Sequence, residues 1–275
     1  MIKSSHHLSY FCKDKKANLK ISPDISNYLQ QYFDKIVVVS VPRFTDRHER
    51  VQQSLAGLPF EFFWGADKLQ LNYEDAKADG TYDEQQAKKL QRQGKVLNLG
   101  EIACSLSHSY VYAAMIEHGW KKLLILEDDV LPIIENLNQL PAAIKELPEN
   151  WELVYLGYLK HEKVTVALKA KQFFYKIISA MGLMAWTYAM VSNLLPKKYS
   201  IHLKIAGFHD CTHAYAITLN GAKKLLAAQT PVVYRADDLL SATILKGELN
   251  AFVTDPKFFD QEIFHNAAIS SEIKT

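Results

Sequence analysis

Cysteine is scarce in this chain: Cys12, Cys104 and Cys211 are the only three in 275 residues. They are odd in number and far apart, and no C-x-x-C or zinc-type spacing occurs. A disulfide framework is therefore not expected, and a reducing compartment is. An excess of one charge is also missing. Lys and Arg total 32 against 30 Asp and Glu, a net charge of +2, so nothing in the charge balance calls for nucleic acid. Met1 to Lys20 lacks an apolar h-region, so no secretory signal is expected. Internal repeats and long low-complexity stretches are absent too, which excludes a repeat array. What is present is 48% hydrophobic and 23% charged, enough for one large α/β domain or two small ones.

The most informative stretch is Lys122 to Val130, K-L-L-I-L-E-D-D-V. A short apolar run stops at three carboxylates, Glu127, Asp128 and Asp129. Such a run fits a buried strand of a parallel sheet. Open α/β sheets bind ligands at the C-terminal ends of their strands. Adjacent carboxylates repel one another unless a cation sits among them, and hard oxygen ligands select Mg²⁺ or Mn²⁺, commonly together with substrate phosphates. An isolated E-D-D would otherwise read as a solvated acidic turn.

Strands and helices alternate along the chain, which predicts a mostly parallel α/β sheet. Ser22-Pro23-Asp24 opens a helix to about Phe33, with Ser as N-cap and Pro at the first position. A strand is expected over Ile36–Val41. Asp46 is placed as the cap of a helix ending before Gly57. A second strand covers Phe60–Trp64, and a charged helix covers Asp83–Gln93. Ile102, Leu106, Tyr110, Ala113 and Ile116 recur at helical spacing, so a long helix spans about Gly100–His118. Downstream, a helix is expected near Glu135–Glu146 and strands over Glu152–Gly157, Thr212–Leu219 and Ala251–Thr254. Asp237-Asp238 opens a further helix, and the tail reads as irregular. Residues 1–34 form an N-terminal helical extension to a domain over 35–275.

One segment stands apart. Ile177 to Pro196 carries no charge, and the apolar helical region covers 172–196. Lys163, Lys169, Lys171 and Lys176 precede its end, and Lys197, Lys198 and Lys204 follow. A basic-flanked helix with Trp186 and Tyr188 suits a membrane interface better than a span, because Ser179, Thr187, Ser192 and Asn193 dilute the run. A helix buried in the fold is the alternative.

Taken in order, these blocks resemble glycosyltransferase family 25, which includes bacterial lipooligosaccharide glycosyltransferases and collagen galactosyltransferases. The matching blocks are V-V-V-S-V-P-R-F-T-D-R-H-E-R, F-E-F-F-W-G-A-D, and L-N-L-G-E-I-A-C-S-L-S-H with L-L-I-L-E-D-D-V. H-A-Y-A-I-T-L-N-G-A-K-K-L-L with Asp237-Asp238 follows, then D-P-K-F-F-D-Q-E-I. The resemblance covers about residues 36–275. There are two departures: the first 34 residues have no counterpart in the short bacterial pattern, and Tyr234-Arg235-Ala236 intervene between Val233 and Asp237.

The resemblance implies a GT-A-like fold, a UDP-sugar donor, Mn²⁺ or Mg²⁺, and inversion at the anomeric carbon. It implies Glu127 and Asp129 as metal ligands with Asp128 towards the ribose or sugar, and Asp237 or Asp238 as general base. Glu101, Ser107 and His108 are candidates to line the donor, Arg43 and Arg47 to clamp phosphate, and Asp67 to bond ribose or uracil. His213 and Tyr215 are candidates to face the acceptor, and His265 to be a third metal ligand. The implied acceptor is a lipid-linked oligosaccharide, and the implied location is cytoplasmic, on the inner face of the cytoplasmic membrane. The other class of function compatible with the sequence is a catalytically silent nucleotide-sugar-binding subunit. A nucleotidyltransferase fits less well, because P-R-F-T-D-R after the first strand has no Gly.

Overall fold

A computed structural model of the chain describes residues 20–90 and 94–265. Its centre is an eight-stranded sheet in the order β2-β1-β3-β8-β5-β9-β7-β6. The strands are β1 (Lys35–Ser40), β2 (Glu61–Trp64), β3 (Lys122–Glu127), β5 (Leu153–Leu159), β6 (Lys197–Lys198), β7 (Leu203–Ile205), β8 (Asp210–Thr218) and β9 (Ala251–Thr254). A separate antiparallel pair joins β4 (Val130–Pro132) to β10 (Phe259–Gln261). In the main sheet β8 and β7 run against the other strands, so the sheet is mostly parallel with one antiparallel strand at its centre.

The run Leu123–Leu126 is fully buried because both sheet faces are covered. Leu124 and Leu126 face one core with Val38 and Val154, while Leu123 and Ile125 face the other with Val37, Tyr112 and Tyr155. Alternation therefore divides one apolar run between two cores. Burial of each such side chain stabilises the fold by about 1.5–3 kcal/mol.

The helix Leu99–His118 lies over the second of these cores. Asn98 caps it, accepting from the Glu101 amide while the Glu101 carboxylate accepts from the Asn98 amide. That reciprocal box satisfies two N–H groups the helix itself leaves unpaired. At the other end Gly119 takes the left-handed conformation, φ 68°, that stops the helix.

Several expected boundaries move. Asp46 lies inside the first turn of Thr45–Ser54 rather than at its cap, which is Phe44. The helix near Glu135–Glu146 is two short ones, Ile134–Leu137 and Leu140–Lys145. The charged helix is described over Glu84–Leu90, and residues 91–93 of the expected span lie outside the described residues. The tail is not irregular at 259–261, since β10 pairs with β4 there.

Residues 1–19 of the expected extension lie outside the described residues. The rest is not an appendage. Helix Pro23–Tyr32 inserts Ile25 and Leu29, with Phe33 following, into the first core. Truncating a leucine as buried as Leu29 costs about 2–5 kcal/mol, so this helix belongs to the domain. The apolar segment is also not one helix. Val166–Ala180 and Tyr188–Ser192 are separated by a turn at Gly182, φ 72°. Among the described residues, no helix is long and apolar enough to cross a membrane.

Candidate active site

Strands β1, β2 and β3 run parallel, and their C-terminal ends open on one cleft with about 780 Å³ of open space. The end of β1 contributes Ser40, and the loop after it Arg43 and Arg47. The segment after β2 contributes Asp67 and Lys68. Helix Leu99–His118 presents Cys104, Ser107 and His108, while Glu127, Asp128 and Asp129 close the floor with Gln261.

The three adjacent carboxylates have three different environments, because each successive residue leaves the strand end in a new direction. Glu127 turns to the helix side. Its Oε1 accepts from Thr212 Oγ1 and lies 3.4 Å from His108 Nε2. Burial pushes its pKa up, but His108 and the Thr212 hydroxyl outweigh that and hold it low. Asp128 turns to β1, where it accepts from Ser40 Oγ and lies 3.0 Å from Arg47 Nη2. Burial raises its pKa. Asp129 lies 3.3 Å from the same Arg47 nitrogen and 3.5 Å from Gln261 Nε2. Burial and then the neighbouring Glu127 charge push it up to about 7, against the pull of Arg47.

Arg47 thus bridges Asp128 and Asp129, and Arg43 and Asp67 hold each other through Nε contacts of 3.1 and 2.9 Å. Asp67 also caps the following turn through the Leu69 amide.

Three carboxylates against one bridging arginine leave an anionic surplus on the cleft floor, which a hard divalent cation would relieve. The oxygen donors of Glu127 and Asp129 fit Mn²⁺ or Mg²⁺. Cys104, His108 and Glu127 also bring one ligand atom each within 4.8 Å of one another. Burial, then the charges of Glu127, Asp237, Asp129 and Asp128, keep the Cys104 thiol protonated.

Asp237 and Asp238 open helix Ala236–Lys246 and do not line this cleft, but the Asp237 charge acts on Cys104, which does. Asp238 is tied to Arg235, whose Nε lies 2.7 Å away. Asp237 accepts from the Cys211 amide at the start of β8 and from the Asp238 amide and lies farther from Arg235, 3.9 Å from its Nε, and burial raises its pKa. Ser241, one turn on, bonds both the amide and the carbonyl of His209 and so fixes the helix to β8.

His209 yields a stability prediction. Unfolded, an imidazole titrates near 6.5. Burial in the fold pushes His209 down to about 4, despite its bond to the Lys160 carbonyl. The unfolded chain therefore takes the proton first, and stability falls as pH drops from 6.5 towards 4, by about 3 kcal/mol in total. His209→Gln, which keeps a donor and an acceptor, is expected to flatten this limb in melting curves recorded across that range. An unchanged slope would refute the assignment.

Other expected site residues fall elsewhere. Glu101 is committed to the capping box and does not line the cleft. Tyr215 is fully buried and does not line the cleft. Its hydroxyl lies 2.8 Å from His108 Nδ1 and 2.8 Å from the Tyr112 hydroxyl, so it orients His108. His213 is also fully buried, packed against Gly157, and does not line the cleft, although it lies near enough to Glu127 for the two charges to act on each other. Both corrections follow from the antiparallel β8, which puts these side chains in the sheet interior. His265 pairs with Asp260 at 3.0 Å and does not line the cleft with Glu127 and Asp129. Ser107 does line it. Its hydroxyl donates to Ala103 and accepts from the Ala66 amide.

Sequence reasoning missed Ser40, Thr212 and Gln261, the partners of Asp128, Glu127 and Asp129. Ser40 alone carried a signal, as the polar residue ending an apolar strand.

Gly65 also belongs to this wall. A Cβ there would meet Ser107 Oγ at 2.2 Å and Ser107 Cβ at 2.5 Å. Gly65→Ala is expected to cost about 1–3 kcal/mol through overpacking. Combined with Ser107→Gly, the loss should be smaller than the sum of the single losses. Strict additivity in thermal melts would contradict the contact.

A family model described as glycosyltransferase family 25 (LPS biosynthesis protein) matches residues 33–240. The chain belongs to this family. Among curated proteins, this family 25 chain is similar to procollagen galactosyltransferase 2 of Mus musculus. The two are 29% identical over 207 residues, covering 71% of the chain and 28% of that protein. It is also similar to the probable inactive glycosyltransferase 25 family member 3 of Bos taurus, 28% identical over 202 residues, covering 72% and 29%. The match to procollagen galactosyltransferase 1 of Danio rerio is 24% over 207 residues, covering 72% and 29%. The chain thus spans less than a third of the length of the curated relatives it matches.

Proposed function

We propose that this family 25 chain transfers galactose, or alternatively glucose, from a UDP-sugar to a lipid-linked oligosaccharide of lipooligosaccharide or lipopolysaccharide type, inverting the anomeric carbon. The observation that carries the reading is the convergence of Glu127, Asp128 and Asp129 on one cleft at the ends of β1, β2 and β3, with the Asp237 charge reaching the cleft wall at Cys104. The family match and the galactosyltransferase names of similar proteins support the transfer and the sugar.

In this reading Asp237 takes the proton of the acceptor hydroxyl as that oxygen attacks the anomeric carbon. The bond from that carbon to the diphosphate oxygen breaks, and UDP leaves with the electron pair. A divalent cation bound by Glu127 and Asp129 would supply charge stabilisation to the leaving diphosphate. Arg47 keeps Asp128 and Asp129 at their spacing, and the Tyr112–Tyr215–His108 chain orients the imidazole against Glu127. Work at the inner face of the cytoplasmic membrane follows from such an acceptor.

A second reading, a silent nucleotide-sugar-binding subunit of a membrane glycan assembly complex, is favoured by the relatives named as inactive. A screen of UDP-sugars by ligand-observed NMR, with and without Mn²⁺, tests donor binding in both. Turnover on a glycan acceptor separates them. Cation-dependent binding with no turnover on any acceptor would leave the second reading standing.

A further inference from the structure

Helix Val166–Ala180 buries none of its residues. Val166, Ala170, Phe173, Phe174, Ile177 and Met181 recur at i, i+4, i+7, i+8, i+11 and i+15, the spacing of one helix face. All six are exposed: Phe173 by 67%, Phe174 by 58% and Met181 by 66%. An apolar stripe normally faces a core, and this one faces solvent.

The opposite face is already used. Gln172 Nε2 donates to the Val191 carbonyl and Ser179 Oγ to the Trp186 carbonyl, so the helix is clipped to Tyr188–Ser192. That second helix is seated on the domain through Asn193 and the cluster of Leu194, Phe208 and Leu245. The stripe therefore sits on a held element.

Charge identifies what would cover it. Between Lys163 and His209 there is no Asp or Glu. Lys169, Lys171, Lys197 and Lys198 are exposed, and Lys176 lies over the Tyr188 ring at 5.4 Å. An apolar face flanked by lysines, with half-buried Trp186 and exposed Tyr188, has the composition of an interfacial helix on anionic lipid. A protein groove would be expected to supply carboxylate partners for those lysines one by one, whereas a bilayer needs only a diffuse negative surface.

Placement adds a consequence. The chain leaves the sheet at the end of β5, and after the hairpin it re-enters through the short strands β6 and β7 before reaching β8. Strands β5 and β3 run the same way, each antiparallel to β8, so the segment leading into the hairpin leaves from the sheet edge that carries Glu127, Asp128 and Asp129. We propose that the hairpin Val166–Ser192 docks on an anionic bilayer through the Phe173–Phe174–Ile177 face, holding the cleft's sheet edge towards the membrane. The orienting role rests on the transferase reading above; the docking itself does not.

The test uses the full chain with vesicles of phosphatidylcholine alone or mixed with phosphatidylglycerol. The parent should co-sediment with the mixed vesicles at low salt, less so at high salt, and much less with neutral ones. Phe173→Asp with Phe174→Asp should abolish sedimentation at every salt concentration. Changing Lys171, Lys176, Lys197 and Lys198 to Gln should weaken partitioning by roughly fivefold for each lysine that reaches the surface, mainly at low salt. Both variants should keep the parent's melting temperature and UDP-sugar binding. A parent that stays in the supernatant overturns docking and leaves the transferase reading intact. Vesicle binding without turnover does the reverse. A dimer in sedimentation velocity that the Phe→Asp pair disperses, with no vesicle binding, would assign the face to a second copy and also overturn the proposal.

Discussion

Asp237→Asn is expected to lower turnover by about 10²–10⁴-fold, the usual worth of a positioned general base, while UDP-sugar binding survives. The substitution is nearly isosteric. It keeps an oxygen to accept from the Cys211 amide, so the start of β8 and the helix Ala236–Lys246 should stay in register. Asp238→Asn should behave differently, because Asp238 is tied to Arg235 and its loss releases a salt bridge at the helix start. A modest drop in stability with near-parent turnover is expected there. The acid limb gives a second readout. Burial raises the Asp237 pKa, so turnover should fall as pH drops through a value above that of an ordinary aspartate. If Asp238→Asn is the inactive variant, the two roles are exchanged. If both variants turn over normally, the base lies elsewhere.

Asp129→Ala is expected to abolish transfer with the protein still folded, and EDTA should do the same to the parent. Fold and activity separate here because Asp129 is held in an unfavourable setting. Burial and the Glu127 charge raise its pKa to about 7, so the apo fold gains little from it. Removing it should leave the melting temperature of the metal-free protein unchanged or slightly higher. Added Mn²⁺ should raise the melting temperature of the parent and not of the variant, by the mass action of a ligand that binds only the folded state. Full activity in excess chelator would eliminate the cation from the reaction.

Much of this arrangement was legible in the sequence where one residue type can do only one thing. The apolar run into Glu127-Asp128-Asp129 fits a buried strand reaching a ligand-binding edge, and Gly119 fits the stop of the helix before it. Asp237-Asp238 opens a helix as expected, although only the fold distinguishes the two, since the Arg235 pairing is a short-range contact that spacing does not specify. The errors share a cause. His213 and Tyr215 looked like acceptor-facing residues because a polar side chain on a strand can point either way. Their burial depends on β8 inserting antiparallel between β3 and β5, a non-local pairing that no local pattern encodes. His265 misled for a related reason: its partner, Asp260, lies on a strand that forms only because β4 is there to pair with it. The segment Ile177–Pro196 carries no charge to mark a break, yet its hairpin turns at Gly182 and leaves one face to solvent.

The hydroxyl chain from Tyr112 through Tyr215 to His108 has a consequence for how this protein tolerates change. Two of its members are interior residues of the sheet and its covering helix, so they would be classed with the packing. Their hydroxyls nonetheless set the orientation of the imidazole that faces Glu127. Variation at these interior positions should therefore register as altered donor handling before it registers as lost stability. A library confined to the cleft wall would miss two of the positions that set its geometry.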